Sequence, residues 1–203
     1  MDNVIYTIGY SSYTSDVFLE QIKKYDVGCV VDVRSVPFAS EFYQAYSRNM
    51  LEPFLHSNKV FYRNYASEFG ARQENPIYYQ KYGYLDFELF IKSDTFVSGV
   101  KKIVQGMTMG YRFCLMCAEK DPINCHRAIM VGRGLKAHGF NVKHIMADTT
   151  LQTQEYLENR LLDLYFPDRL QASLFDMIPS EDYVNIAYRI QNEKIGYRRK
   201  TAA

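Results

Sequence analysis

The sequence predicts an α/β fold: a mainly parallel sheet flanked by helices, with Rossmann-like or rhodanese-like layering, followed by a C-terminal helical extension. Three observations predict it. Short β-branched, apolar runs alternate with stretches of helical periodicity along the first part of the chain. One of those runs, GCVVDVRSVP, is apolar without alternation, as a strand buried on both faces is. After Asp148 the pattern turns helical. The expected division is therefore an α/β core over 1–149 and a helical extension over 150–203 packed on it, together forming one domain.

Taken in order, VIYTIGY is β-branched and aromatic, is bounded by Gly9, and reads as a strand. In TSDVFLEQIKKYDV, Thr14 or Ser15 can cap a helix, and Phe18, Leu19, Ile22 and Tyr25 recur at helical spacing. GCVVDVRSVP, closed by Pro37, completes a strand–helix–strand unit, which implies parallel pairing. Ser47 stands where it can cap the helix RNMLEPFLHSN, and KVFYRNY is a third strand. The polar and aromatic stretch ASEFGARQENPIYYQKYGY has little periodicity, and a segment of that kind in a compact domain is functional or flexible. SDTFVSGVKKIVQGM is a helix capped by Ser93, and YRFCLMC is a buried strand. NCHRAIMVGRGLKAHG is a helix closed by Gly139, and FNVKHIMA is the last strand. TTLQTQEYLENRLLDLYF and SEDYVNIAYRIQNEKIGYRRKTAA make up the extension.

Bulk composition narrows the function classes. The 203 residues carry a formal charge of +1, which provides no global attraction to nucleic acid or to an anionic membrane. The opening MDNVIYTIGY has neither the basic segment nor the apolar run of a signal peptide, and no stretch is long enough to span a bilayer. A cytoplasmic protein is expected, and its cysteines should be thiols, metal ligands or redox groups rather than structural disulfides. The 18 tyrosines are amphipathic and suit a groove as well as a core.

The densest chemistry lies in CLMCAEKDPINCHR. On a strand, Cys114 and Cys117 point to opposite faces, so Cys114 is expected to pack as a small hydrophobe. Cys117 ends the strand, at the edge where open α/β sheets bind ligands. A helix starting near Ile123 or Asn124 would place Cys125, His126 and Arg127 in its first turn, where free N–H groups favour anions and thiolates. Cys117, Glu119, Cys125, His126 and Arg127 can therefore converge; equally, His126 and Arg127 can bond the surrounding loops while Cys125 packs inward. The other strand ends share this rim. Tyr10 and Ser11 follow Gly9. Asp32 and Arg34 are either a buried structural pair or a prepared anion clamp. Glu68 and Arg72 flank Gly70 in a segment that is either part of the site or a solvated loop.

The ordered set IYTIGY, VVDVRSVPF, EFGAR, FCLMCAEKDPINCHR, VKHI and AYRIQNEKIGY resembles the bacterial and archaeal family known as domain of unknown function 488, over nearly the whole chain. The resemblance implies an intracellular α/β protein with a polar site at these motifs, and implies no reaction. Its recurring cysteines correspond to Cys117 and Cys125. This chain has Tyr10 where the family often has His, and Ala71 where it usually has a second Gly. The Asp-x-Arg strand end and the later Cys strand end are also similar to a rhodanese layout, although CAEKDPINCHR is longer than a rhodanese cradle and has no glycine.

Three functions compete on this reading. The first is an enzyme or binder for a small anionic or nucleotide-like molecule. In it Cys117 or Cys125 is the nucleophile or redox thiol, His126 and Glu119 are acid–base or orienting groups, and Arg34 and Arg127 hold the anion. The second is a zinc site of Cys117, Cys125 and His126 with Glu119 or water, zinc being the one cofactor the residue types suggest. The third is a nucleic-acid module using the interleaved Tyr and cations of FYRNY, YYQKYGY and GYRRK.

Overall fold

A computed structural model describes residues 3–38, 40–169 and 180–199. The strands are β1 (Val4–Gly9), β2 (Cys29–Asp32), β3 (Phe61–Asn64), β4 (Phe113–Cys117), β5 (Asn141–Ile145) and β6 (Leu151–Thr153). They form one sheet in the order β3-β2-β4-β1-β5-β6. The first five are mutually parallel and β6 runs antiparallel to β5. The α/β class and its mainly parallel sheet are as the sequence predicts.

Strand alternation sorts the core into two layers, one on each face. On one face Tyr6, Ile8, Val30, Cys114 and Met116 pack with Phe18 and Ile22 of α1 (Ser15–Lys23) and with Leu51 and Leu55 of α2 (Arg48–Ser57). On the other, Ile5, Val31, Leu115 and Cys117 meet a larger helical layer. That layer includes α3 (Ala66–Phe69), α4 (Phe87–Phe90), α5 (Asp94–Thr108) and α6 (Arg133–Ala137), the last entered through a π-turn at Arg127–Gly132. It is completed by α7 (Gln154–Tyr165) and α8 (Ser180–Ile195).

Local signals explain most of the boundaries. The Thr14 hydroxyl accepts from Val17 N at the start of α1, and the Ser93 hydroxyl accepts from Phe96 N at the start of α5. Gly139, at φ +85°, takes the left-handed conformation that closes α6. Ser47 occupies the N-cap of α2, but its side chain makes no cap bond there.

Two assignments change. Leu151–Thr153, read as the beginning of a helix, is the edge strand β6, so the sheet continues past the boundary expected at 149. The weakly periodic stretch after β3 contains α3 and a 3-10 turn at Pro76–Tyr79, with Phe69 and Tyr79 in the core. The last helix is tied to the loops around the sheet by side-chain bonds. Asn192 accepts from Phe87 N and donates to Leu85 O, and Gln191 donates to Ile123 O at 2.7 Å. Residues 170–179 and 200–203 of the expected helical extension lie outside the described residues. No helix among the described residues is long and apolar enough to cross a membrane.

Candidate functional site

The carboxyl ends of β1, β2 and β4 open onto one cavity of about 320 Å³. Its wall includes Tyr10, Arg34, Ser35, Arg72, Cys117, Glu119 and His126. The adjacency follows from topology: β4 lies between β1 and β2, so three strand ends, from distant parts of the chain, meet at one rim.

Cys117 and Cys114 illustrate the strand rule directly. Cys114 is in the α1/α2 layer and Cys117 in the opposite one, both fully buried. Beyond Cys117 the chain turns back so that Cys125 and His126 return beneath it. The Cys117 and Cys125 sulfurs lie 3.0 and 2.8 Å from Glu119 Oε2. Cys117 Sγ is 3.8 Å from His126 Nδ1. His126 Nε2 is 2.9 Å from Val33 O. A carbonyl only accepts, so Nε2 carries a hydrogen and Nδ1 faces the sulfurs. Glu119 is exposed as a residue, yet its carboxylate turns inward onto the two sulfurs.

The two thiols differ. The Cys125 contact, with burial, pushes Cys117 well above the ordinary thiol range. Burial also pushes Cys125 up, but the Cys117 thiol, Arg127 and His126 outweigh it and bring Cys125 well below that range. Of this coupled pair, Cys125 is the more acidic, since the Cys117 thiol and the Arg127 charge favour its thiolate. Burial and the neighbouring Cys125 raise Glu119. Burial lowers His126, and the Cys125 contact more than reverses this.

The helix does not start where the sequence placed it. Pro122–Asn124 forms a separate 3-10 turn, Cys125 is extended (φ −131°, ψ 137°), and helical geometry begins at His126. Cys125 therefore precedes the helix, and its sulfur accepts from Arg127 N at 3.4 Å.

Arg127, expected to hold an anion, is fully buried and does not line the cavity. Its guanidinium donates to the carbonyls of Glu119 and Lys120. It clamps the loop that carries Glu119, as Arg160 does from outside by pairing with Asp121 at 2.7 Å. Gly9 lies against the same loop, where a Cβ would overlap the Glu119 carbonyl and crowd the Arg127 guanidinium. Gly9→Ala is expected to cost about 1–3 kcal/mol, since the obstacle is backbone rather than a flexible side chain. Urea unfolding of the variant measures this, and an unchanged midpoint would show that the loop gives way freely.

Asp32 and Arg34 do pair. Arg34 Nε and Nη2 donate to the two Asp32 oxygens at 2.9 and 2.6 Å, and Nη2 also donates to Tyr46 O at 2.7 Å. Tyr62 donates to Asp32 Oδ2 at 2.6 Å. Asp32 is thus an orienting group, fully buried and away from the cavity wall. Arg34 lines the cavity, with Tyr10 beneath its guanidinium at 5.1 Å. Burial raises the Tyr10 hydroxyl above its usual range, opposed by Arg34.

The remaining expected residues separate. Arg72 is exposed at the outer wall, with its guanidinium over the Tyr197 ring at 4.8 Å. Ser11 does not line the cavity; its amide donates to Ala118 O. Glu68 lies outside it as well, buried and paired with Lys102 of α5. The tyrosines read as an aromatic surface mostly pack inward: Tyr62, Tyr65, Tyr79 and Tyr84 are buried, while Tyr82 is exposed. Lys200 of GYRRK lies outside the described residues. Sequence reasoning missed Ser35, Phe38, Asn124, Ile195 and Tyr197 as cavity residues. The last two are in the motif AYRIQNEKIGY, which marked the tail without showing that it returns to the rim.

No curated protein and no solved structure matches the chain. The family model described as "Domain of unknown function DUF488" matches residues 14–133, more than half of the chain, spanning β2 and β4 with Arg34, Cys117, Cys125 and His126. The chain belongs to this family of domains of unknown function.

Proposed function

We propose that the cavity binds a small anionic or nucleotide-like molecule and that the protein is an enzyme acting on it through the cluster of Cys117, Glu119, Cys125 and His126. The observation carrying this reading is the state of Arg34. Its Nε and Nη2 are engaged by Asp32 and Tyr46, while Nη1 is buried with no hydrogen-bond partner among the described residues. A buried donor left unsatisfied costs about 1–3 kcal/mol, and an anionic oxygen in the cavity would remove that penalty. Arg72 adds a second cation at the outer wall. Val36, Phe38, Ile195 and Tyr197 supply an apolar rim suited to the organic part of the ligand. The cavity volume is in the range of small-molecule sites. Titratable groups with displaced proton affinities on a ligand cavity's wall favour catalysis over passive binding.

Inorganic phosphate, sulfate and adenosine monophosphate provide the test, compared with chloride at matched ionic strength. A bound anion at 100 times its Kd raises stability by about 2.7 kcal/mol, read as a higher thermal midpoint. Arg72→Ala is expected to weaken the effect and Arg34→Lys to weaken it further, because an ammonium cannot keep the Asp32 fork and also reach into the cavity. If none of the three anions exceeds chloride, the anion reading is wrong.

A further inference from the structure

We infer that Cys117, Cys125 and His126, with the Glu119 carboxylate alongside, form a binding site for a divalent metal of zinc-like softness. The inference goes beyond the anion reading and stands whether or not an anion binds.

The ligand atoms of Cys117, Cys125 and His126 lie within 4.8 Å of one another, and all three residues are buried. A tetrahedral ion with Zn–S bonds of about 2.3 Å separates its ligand atoms by roughly 3.5–4 Å, so the atoms need only small adjustments to surround one ion. The orientation of His126 is a second, independent observation. Its Nε2 is fixed on the Val33 carbonyl, which leaves the Nδ1 lone pair of the neutral ring facing Cys117. Metal-binding histidines are held in this way, with the far ring nitrogen donating to a carbonyl or carboxylate. A third is the backbone amide of Arg127 pointing at Cys125 Sγ, which is support that a thiolate ligand uses.

Two thiolates and an imidazole select zinc over magnesium or calcium, which prefer oxygen ligands. Glu119 Oε2 touches both sulfurs and is placed to become the fourth ligand. Cys117, Glu119 and His126 also line the cavity, so the ion would have one face toward it. If Glu119 swings away, a water or an anionic oxygen can take that position, the open arrangement of catalytic rather than structural zinc.

The test uses the untagged full chain, reduced so that no Cys117–Cys125 disulfide can form, stripped of metal and loaded with cobalt(II) and separately with zinc. One ion per chain retained through dialysis is expected, and the cobalt form should show thiolate-to-metal charge-transfer absorption with the intense visible bands of tetrahedral coordination. Cys117→Ser and Cys125→Ser should each lose the charge-transfer band and most of the retained metal, while Cys114→Ala, on the opposite face of the sheet, should keep both. Wild-type protein that retains no ion, or that binds cobalt without thiolate absorption, overturns the inference without depending on any variant's folding. Metal retention that survives both serine substitutions also overturns it, by placing the ion elsewhere. Phosphate binding measured on the metal-free chain reads the anion proposal separately.

Discussion

Asp32→Ala is expected to destabilise the protein by about 3–5 kcal/mol, because it strands a buried cation. Arg34 is 5% exposed and Asp32 is fully buried. The carboxylate takes two bonds from the Arg34 guanidinium, one from the Arg34 amide at 3.0 Å and one from the Tyr62 hydroxyl. Removing it leaves Arg34 Nε, the Arg34 amide and the Tyr62 hydroxyl without this partner, and Arg34 Nη2 with only its bond to Tyr46 O, at the point where β2 ends and the cavity begins. Replacing both charges, as Asp32→Ala with Arg34→Met, should recover most of the loss, since an apolar pair of similar volume does not carry the desolvation cost of an ion pair. Chemical denaturation of the two single variants and the double variant measures this coupling. A loss below about 1 kcal/mol in Asp32→Ala would mean that the Asp32 carboxylate is not what stabilises Arg34 in the folded state.

The second large effect concerns pH. His144 in β5 is fully buried between two fixed partners. Gln154 donates through Nε2 to Ala128 O, which orients its amide and turns Oε1 toward His144 Nε2 at 2.9 Å. The ring therefore carries its hydrogen on Nε2, and Nδ1 accepts from the Thr7 hydroxyl at 2.7 Å. A second ring proton, on Nδ1, would force the Thr7 hydroxyl to give up its donor role there and would put a charge in a fully buried site. Burial, reinforced by Arg127, pushes the His144 pKa down to about 3 from an ordinary 6.5. The sign follows from linkage: below the unfolded pKa the unfolded chain takes up a proton that the folded chain refuses. Stability conferred by the neutral ring is full above about 6.5 and is lost as pH falls toward 3. The slope approaches about 1.4 kcal/mol per pH unit, and the total is at most about 5 kcal/mol. Unfolding free energies of the wild type and His144→Gln should therefore converge as pH falls from 7 to 4, with the carboxylates common to both cancelling in the difference. A difference independent of pH would show that His144 titrates normally in the folded protein.

Arg127 and Arg34 show how much of the site was legible in the sequence. Both were expected to hold an anion at the strand-end rim; Arg34 lines the cavity there, and Arg127 does not. Sequence spacing placed Arg34 beside Asp32 because residues two apart on a strand share a face. No spacing rule states where a long side chain ends. Arg127 turns under the loop to meet the Glu119 and Lys120 carbonyls, whereas Arg34 lines the cavity wall with its Nη1 buried and without a hydrogen-bond partner among the described residues. Glu68 was expected near Arg72 because both flank Gly70; α3 instead directs Glu68 at Lys102 on α5.

By itself the sequence determined the alternation of strands and helices, the predominance of parallel pairing, and the opposite facing of Cys114 and Cys117. Each of these is a period of two or 3.6 residues, or a cap, and is local in origin. Tertiary structure alone decided three things. Leu151–Thr153 extends the sheet as β6, Ile195 and Tyr197 of the chain's last described stretch close the cavity, and Cys117, Glu119, Cys125 and His126 meet. All three depend on strand order and on where loops fold back. Both are set by packing between segments far apart in sequence, to which local propensity is blind.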